Sequence, residues 1–241
     1  MIISPLSELT MLSPHFGGLR GKIDRITPHC VVGQASAESI GYWFQKPSPI
    51  HSCNYGIGHD GTIVCCVPEE YQSYCSSSGA NDSRAITIEC ASDIFDPYAM
   101  TPAVIASLTS LCVDICKRYN KTRLVWIADR ETALKYQPKD CEMLITVHRW
   151  FDNKSCPGDF LFYRLGKLAE TVSLELEVNP VYYETLEDVP EWGRKTVEKL
   201  INHNAIQGDG AGLHLSNDLV RILVILDRMG VFDSGNKNVM A

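Results

Sequence analysis

HRWFDNKSCPGD, residues 148–159, places His148, Lys154 and Cys156 at i, i+6 and i+8 ahead of a Pro157–Gly158 step. A neutral imidazole and a thiolate are strong zinc ligands, and the seven-residue loop between them lets both reach one tetrahedral ion. Lys154, between the two, is placed to reach whatever the metal polarises. The set lacks a further ligand and a base, and these must come from elsewhere in the chain.

Of seven histidines, His29 has the most informative setting. It interrupts the β-branched run KIDRITPHCVVGQ near the end of an expected strand, where a side chain can point into a cleft. His29, His148 and Cys156 then make three protein ligands with no obvious fourth. That is the pattern of a catalytic zinc with an open position for water. The reaction class is hydrolysis of an amide or ester. Such chemistry needs a base for the water and a cation for the developing oxyanion. In AITIECA (residues 85–91), Ile86 and Ile88 alternate with Thr87 and Glu89, which puts Glu89 on the polar face of a strand as the candidate base. Lys154 is the candidate cation.

Outward from the site, strands and helices alternate. SAESIGYWFQKP predicts a short helix capped by Ser36 or Ser39 and ended by Pro47. NYGIG and TIVCCV flank Asp60–Gly61, a hairpin signal. Thr101–Pro102 opens the strongest helix, with Val104, Leu108, Leu111 and Ile115 at helical spacing and Lys117 and Arg118 at its end. RLVWIA reads as a buried strand and ETALKY as helical. MLITVH leads up to His148, and one helix is expected from Pro157 through Val172. Residues 1–20 read as an irregular lead-in.

The chain of 241 residues is 45% hydrophobic and 21% charged, enough for a sizeable core. Its formal charge of −7 argues against nucleic acid as main partner and offers no polybasic patch for a membrane. No apolar run reaches the ~18 residues of a membrane span, so no insertion is expected. The N-terminus has neither the basic start nor the sustained apolar core of a signal peptide. Ten cysteines include the adjacent Cys65–Cys66 and no C-x-x-C pair, which reads as reduced, mostly buried thiols.

Together His29, the hairpin SCNYGIGHDGTI, the segment ANDSRAITIE and the 148–159 stretch resemble zinc-dependent N-acetylmuramoyl-L-alanine amidases of the type 2 amidase and peptidoglycan recognition protein group. Within it, the likeness is greatest to phage endolysins and autolysins of clostridial-type hosts. It covers residues from about Ile23 to Leu168. The resemblance implies an α/β fold with a mixed central sheet flanked by helices, and Zn2+ on His29, His148 and Cys156. It implies cleavage of the amide between N-acetylmuramic acid and the L-alanine of the stem peptide, with Glu89 as base and Lys154 beside the zinc. It also implies Asn54, Tyr55 and Asn81 as groove residues. Where some members carry a catalytic tyrosine, this chain has Cys53, which leaves the base role with Glu89. Tyr55, sharing a strand face with Cys53 by period two, is its nearest substitute. An enzyme of this kind without a signal peptide is made in the cytoplasm and acts on bacterial peptidoglycan after release. The competing reading, a non-catalytic peptidoglycan-binding protein, typically loses the cysteine ligand that Cys156 supplies.

The sequence changes character near residue 175. Residues 1–175 are expected to form the catalytic domain, 176–189 an acidic linker containing Pro180 and bounded by Pro190, and 190–241 a small two-helix segment for wall binding or dimerisation.

Overall fold

The computed structural model describes residues 1–177, 182–210 and 212–233. Residues 178–181 of the expected linker, and 211 and 234–241 of the expected C-terminal segment, lie outside the described residues. Backbone packing divides the chain into two units, Met1–Val178 and Asn179–Ala241.

In the first unit, seven strands form one sheet: β1 (Leu9–Thr10), β2 (Arg25–Val32), β3 (Tyr55–Ile57), β4 (Ile63–Cys65), β5 (Ala85–Ser92), β6 (Arg123–Val125) and β7 (Glu142–Ile145). Their order is β1-β4-β3-β5-β2-β7-β6. Only the β3–β4 hairpin is antiparallel among these pairings, so the sheet is mixed. β1 is a strand inside the expected irregular lead-in. It forms because Leu9 and Thr10 pair with Val64 and Cys65 at the sheet edge, a partner that local sequence cannot announce.

Each face of the sheet has its own cover. On one face lie α3 (Pro102–Arg118) and α6 (Leu165–Glu177), and Leu108, Leu111, Ile115, Leu165 and Val172 bury against Ile26, Ile86 and Ile88. Thr101 caps α3 by accepting from the Val104 N–H at 3.2 Å, with Pro102 in the first turn. The other face carries α1 (Ala37–Gln45), capped by Ser36, with Ile40 and Phe44 packed on Val64 and Cys66. Gly56 makes this approach possible, since a Cβ there would lie 2.5 Å from Ile40 Cγ2. The short helices α2 (Gly79–Asp82), α4 (Arg130–Lys135) and α5 (Gly158–Phe162) complete the unit.

Three sequence expectations are corrected here. The helix expected from Pro157 to Val172 is two helices, α5 and α6, with a break at Tyr163–Arg164. The polar face of β5 does not meet bulk water: Thr87 is buried and forms part of a hydrogen-bonded layer. Cys53 and Tyr55 do not share a face: Cys53 lies before β3 begins and packs with Ile40 and Phe44, whereas Tyr55 packs with Ile86 and Ile88 on the other side. All ten cysteines are free, and seven of them are buried.

In the second unit, β8 (Tyr182–Tyr183) pairs antiparallel with β9 (Leu215–Ser216), beside α7 (Glu191–Asn202) and α8 (Asn217–Arg228). Val189, Val197, Val220 and Val224 form its core. Within the described residues, no helix is long and apolar enough to cross a membrane.

Candidate active site

The site is built on the parallel pair β2–β5. Their register sets His29 opposite Glu89, and directly paired residues on neighbouring strands project to the same face. His29 Nδ1 lies 3.9 Å from Glu89 Oε1. Gly56 of β3 is also in register with Glu89, so the third strand adds no side chain there.

The 148–159 stretch closes over this pair. After β7 a 3-10 turn, His148–Trp150, presents His148, whose ring centroid is 5.1 Å from that of His29. The loop then folds back on itself. Arg149 N–H donates to the Cys156 carbonyl at 3.0 Å, and its guanidinium reaches Asp159 at 3.0 Å. Gly158, at φ +80°, packs so tightly on Pro97 and Tyr98 that a Cβ would lie 2.8 Å from Tyr98 Cβ. Cys156 Sγ is thereby held 3.3 Å from His29 Nδ1.

Ligand atoms of His29, His148 and Cys156 all lie within 4.8 Å of one another. Zn–S and Zn–N bonds of about 2.3 and 2.0–2.1 Å at a tetrahedral angle place such donors roughly 3.6 Å apart. The observed sulfur–nitrogen separation of 3.3 Å is close to that, so this soft, mixed donor set fits zinc. Electrostatics agree. Burial, reinforced by His148, lowers the His29 pKa to about 3, which keeps its imidazole in the neutral, metal-ligating form. Burial raises the Cys156 thiol, with Cys30 and Glu89 adding to it, so a cation is what makes its thiolate affordable there.

Burial also raises Glu89, to about 7, against a smaller opposing effect of a hydrogen bond from Cys75. That thiol sits 3.6 Å from Oε1, whereas Oε2 is buried without a hydrogen-bond partner among the described residues. A carboxylate poised near neutrality with one free oxygen suits proton transfer.

A cavity of about 580 Å³ opens on this cluster, lined by Glu89, His148, Lys154, Cys75, Ser77 and Asp82 among others. Lys154 is exposed and shares the cavity with Glu89 and His148. Sequence reasoning missed Cys75, Ser77 and Asp82. Asp82, at the end of α2, accepts from the Cys75 and Ser76 N–H groups and so shapes the loop that brings Cys75 to Glu89. It also brings Ser77 to 2.9 Å from His148 Nε2. The local signals are the helix cap Ser78 and Asp82, the latter 7 residues from Cys75, whereas Cys75 meets Glu89 across 14 residues and Ser77 meets His148 across 71.

Three expected groove residues are not brought to the cavity. Asn54 is fully buried, accepting from Thr87 N–H at 3.1 Å and donating to the Val67 carbonyl at 3.0 Å. Asn81 is fully buried as well, accepting from Thr146 Oγ1 and donating to Thr27 Oγ1, both at 3.0 Å. Tyr55 pairs with Ile88, not Glu89, and so points to the opposite face. There its hydroxyl donates to Glu69 Oε1 and accepts from Ser4 N–H. The two asparagines hold the floor beneath the site, and Tyr55 anchors the N-terminal segment behind the sheet.

The family model described as N-acetylmuramoyl-L-alanine amidase matches residues 19–159. Among solved structures, a mutant structure of PlyL is 16% identical with a TM-score of 0.50, covering 68% of this chain and 96% of that one. AmpD, as a Se-Met derivative, is 16% identical with a TM-score of 0.51, covering 70% and 99%. The Staphylococcus aureus hydrolase AmiA, in complex with its ligand, is 11% identical with a TM-score of 0.51, covering 73% and 86%. At these identities the likeness is one of fold. No curated protein matches the chain significantly.

Proposed function

The chain belongs to the N-acetylmuramoyl-L-alanine amidase family, and on that premise we propose that it is a zinc-dependent peptidoglycan amidase of endolysin type. Peptidoglycan is its substrate, and the bond cut is the amide joining N-acetylmuramic acid to L-alanine. The observation that carries the zinc reading is the convergence of His29, His148 and Cys156 on one point, with Glu89 in register beside it.

His29, His148 and Cys156 hold the ion, and Ser77 fixes the His148 ring through Nε2. When bound, zinc supplies Lewis-acid polarisation of the carbonyl and activation of water. Glu89 takes the proton from the attacking water and returns it to the departing L-alanine amine. Lys154 stabilises the negative charge that develops on the carbonyl oxygen. Release into the wall from a cytoplasmic site of synthesis, in a clostridial-type host, rests on the sequence resemblance. The unit Asn179–Ala241 serves wall attachment in this reading.

Digestion of purified peptidoglycan, with mass spectrometry of the products and metal analysis of the protein, tests the proposal. New L-alanine amino termini, intact glycan strands and about one zinc per chain are expected. New reducing sugar ends, or a fully active metal-free protein, would overturn it.

A further inference from the structure

Next to the cavity over the zinc cluster lies a second one of about 420 Å³. The two share Phe44, His51 and Glu89, so they meet at the candidate base. Their chemistry differs. The first is lined by Lys154, Asp152, Asp82 and His148, whereas the second is walled by Val31, Val32, Ala35, Ile40 and Trp43. Glu89 is the one carboxylate lining the second cavity, and no Lys or Arg lines it.

Trp43 is the unusual residue of that wall. Helical periodicity groups it with Ile40 and Phe44, which are buried, yet its side chain remains 47% exposed. Its indole is nonetheless fixed in place. Nε1–H donates to His51 Nε2 at 2.7 Å, and the Lys46 ammonium lies 4.1 Å from the ring centroid. His51 is itself packed edge-on against Phe44, at 5.3 Å between ring centroids. An exposed aromatic ring held from its polar edge is a preformed stacking platform, because little side-chain entropy remains to be lost on binding.

The substrate of an amidase has two unlike arms that diverge from the scissile bond. One is an uncharged N-acetylated sugar with its lactyl ether. The other is a stem peptide carrying ammonium and carboxylate groups. Charge complementarity directs the peptide into the cavity with the exposed Lys154 and Asp152, where each of its charges finds a partner or solvent. The Trp43 cavity offers those charges less, since Glu89 is the one charged side chain in its lining and Lys46 is already engaged over the indole. A pyranose ring has apolar C–H faces that stack on an indole and hydroxyls that remain at the rim, where Ser39 supplies a polar group.

We propose that the Trp43 cavity is the glycan subsite of this enzyme: it takes the N-acetylated muramoyl sugar by stacking on Trp43 and sets the direction in which the substrate crosses Glu89. This rests on the amidase reading above. His51 is a positioning residue that holds the indole.

The test uses the full chain carrying Glu89→Gln, labelled with nitrogen-15, and follows the indole N–H resonance of Trp43, assigned by its loss in Trp43→Phe. Two probes are added separately: the disaccharide of N-acetylglucosamine and N-acetylmuramic acid without peptide, and the tetrapeptide L-Ala-D-isoGln-L-Lys-D-Ala without sugar. The disaccharide is expected to shift the Trp43 resonance and the tetrapeptide to leave it in place. In the otherwise unmodified enzyme, Trp43→Ala is expected to raise KM for muramoyl peptides roughly tenfold with little change in kcat. A Trp43 resonance moved by the tetrapeptide, or unmoved by the disaccharide, overturns the proposal. Because product analysis of the unmodified enzyme reports amide cleavage independently, failure of the subsite assignment is distinguishable from failure of the amidase reading.

Discussion

Glu89 combines two properties that rarely coexist in a carboxylate: it is largely buried, and one of its oxygens has no hydrogen-bond partner among the described residues. Such an arrangement costs stability and is retained where a proton must move. Glu89→Gln preserves shape and removes basicity, so kcat is expected to fall on the order of 10²–10⁴-fold while zinc content, read by metal analysis, stays unchanged. The pH dependence follows with a definite sign. A base acts ionised, burial raises Glu89 to about 7, and a bound cation pulls it down from there. The acid limb of kcat/KM is therefore expected at or below about pH 7. A profile that stays flat down to pH 4 would assign the base elsewhere. Cys156→Ser should do the opposite of Glu89→Gln and lower zinc stoichiometry, because a serine hydroxyl is a poor zinc ligand at neutral pH.

At the scale of elements, the pair β2–β5 carries a polar layer that sequence alternation alone would have left in water. Thr27, Thr146, Asn81, Thr87 and Asn54 satisfy one another beneath the site. Removing one member leaves its partners buried and unpaired, at about 1–3 kcal/mol for each such group. Asn81→Ala is therefore expected to lower the urea midpoint markedly while KM for muramoyl peptides changes little. A groove residue would show the reverse, a raised KM at unchanged stability. Loss of the α3 cap in Thr101→Ala should cost about 0.5–2 kcal/mol, read in the same unfolding assay, with no effect on chemistry.

For the whole molecule, binding of an ion to the folded state alone stabilises it by mass action. Chelation is expected to abolish amide cleavage and to lower the thermal midpoint of the unit Met1–Val178, with both recovered on adding zinc. The second unit has its own small core of Val189, Val197, Val220 and Val224, and none of its described residues belongs to the His29–His148–Cys156 cluster. A chain ending before it should keep its activity on soluble muramoyl peptides and lose retention on intact walls. Equal wall retention would remove the attachment role.

The local grammar of the chain was legible from its residues alone. His148, Lys154 and Cys156 lie on one short loop, and strands and helices follow from apolar periodicity and caps, all within reach of neighbours in the chain. His29 and Glu89 were also legible as candidates, since each interrupts an apolar strand with a group that has chemistry to do. Their meeting was not. It depends on β2 and β5 pairing in parallel with a register that crosses 60 residues, and no local pattern specifies a register. For the same reason Asn54, Asn81 and Tyr55 could not be told from groove residues by sequence alone. Whether a polar side chain on a strand meets solvent, substrate or another buried polar group is decided by what covers that face, and only the tertiary structure supplies the cover.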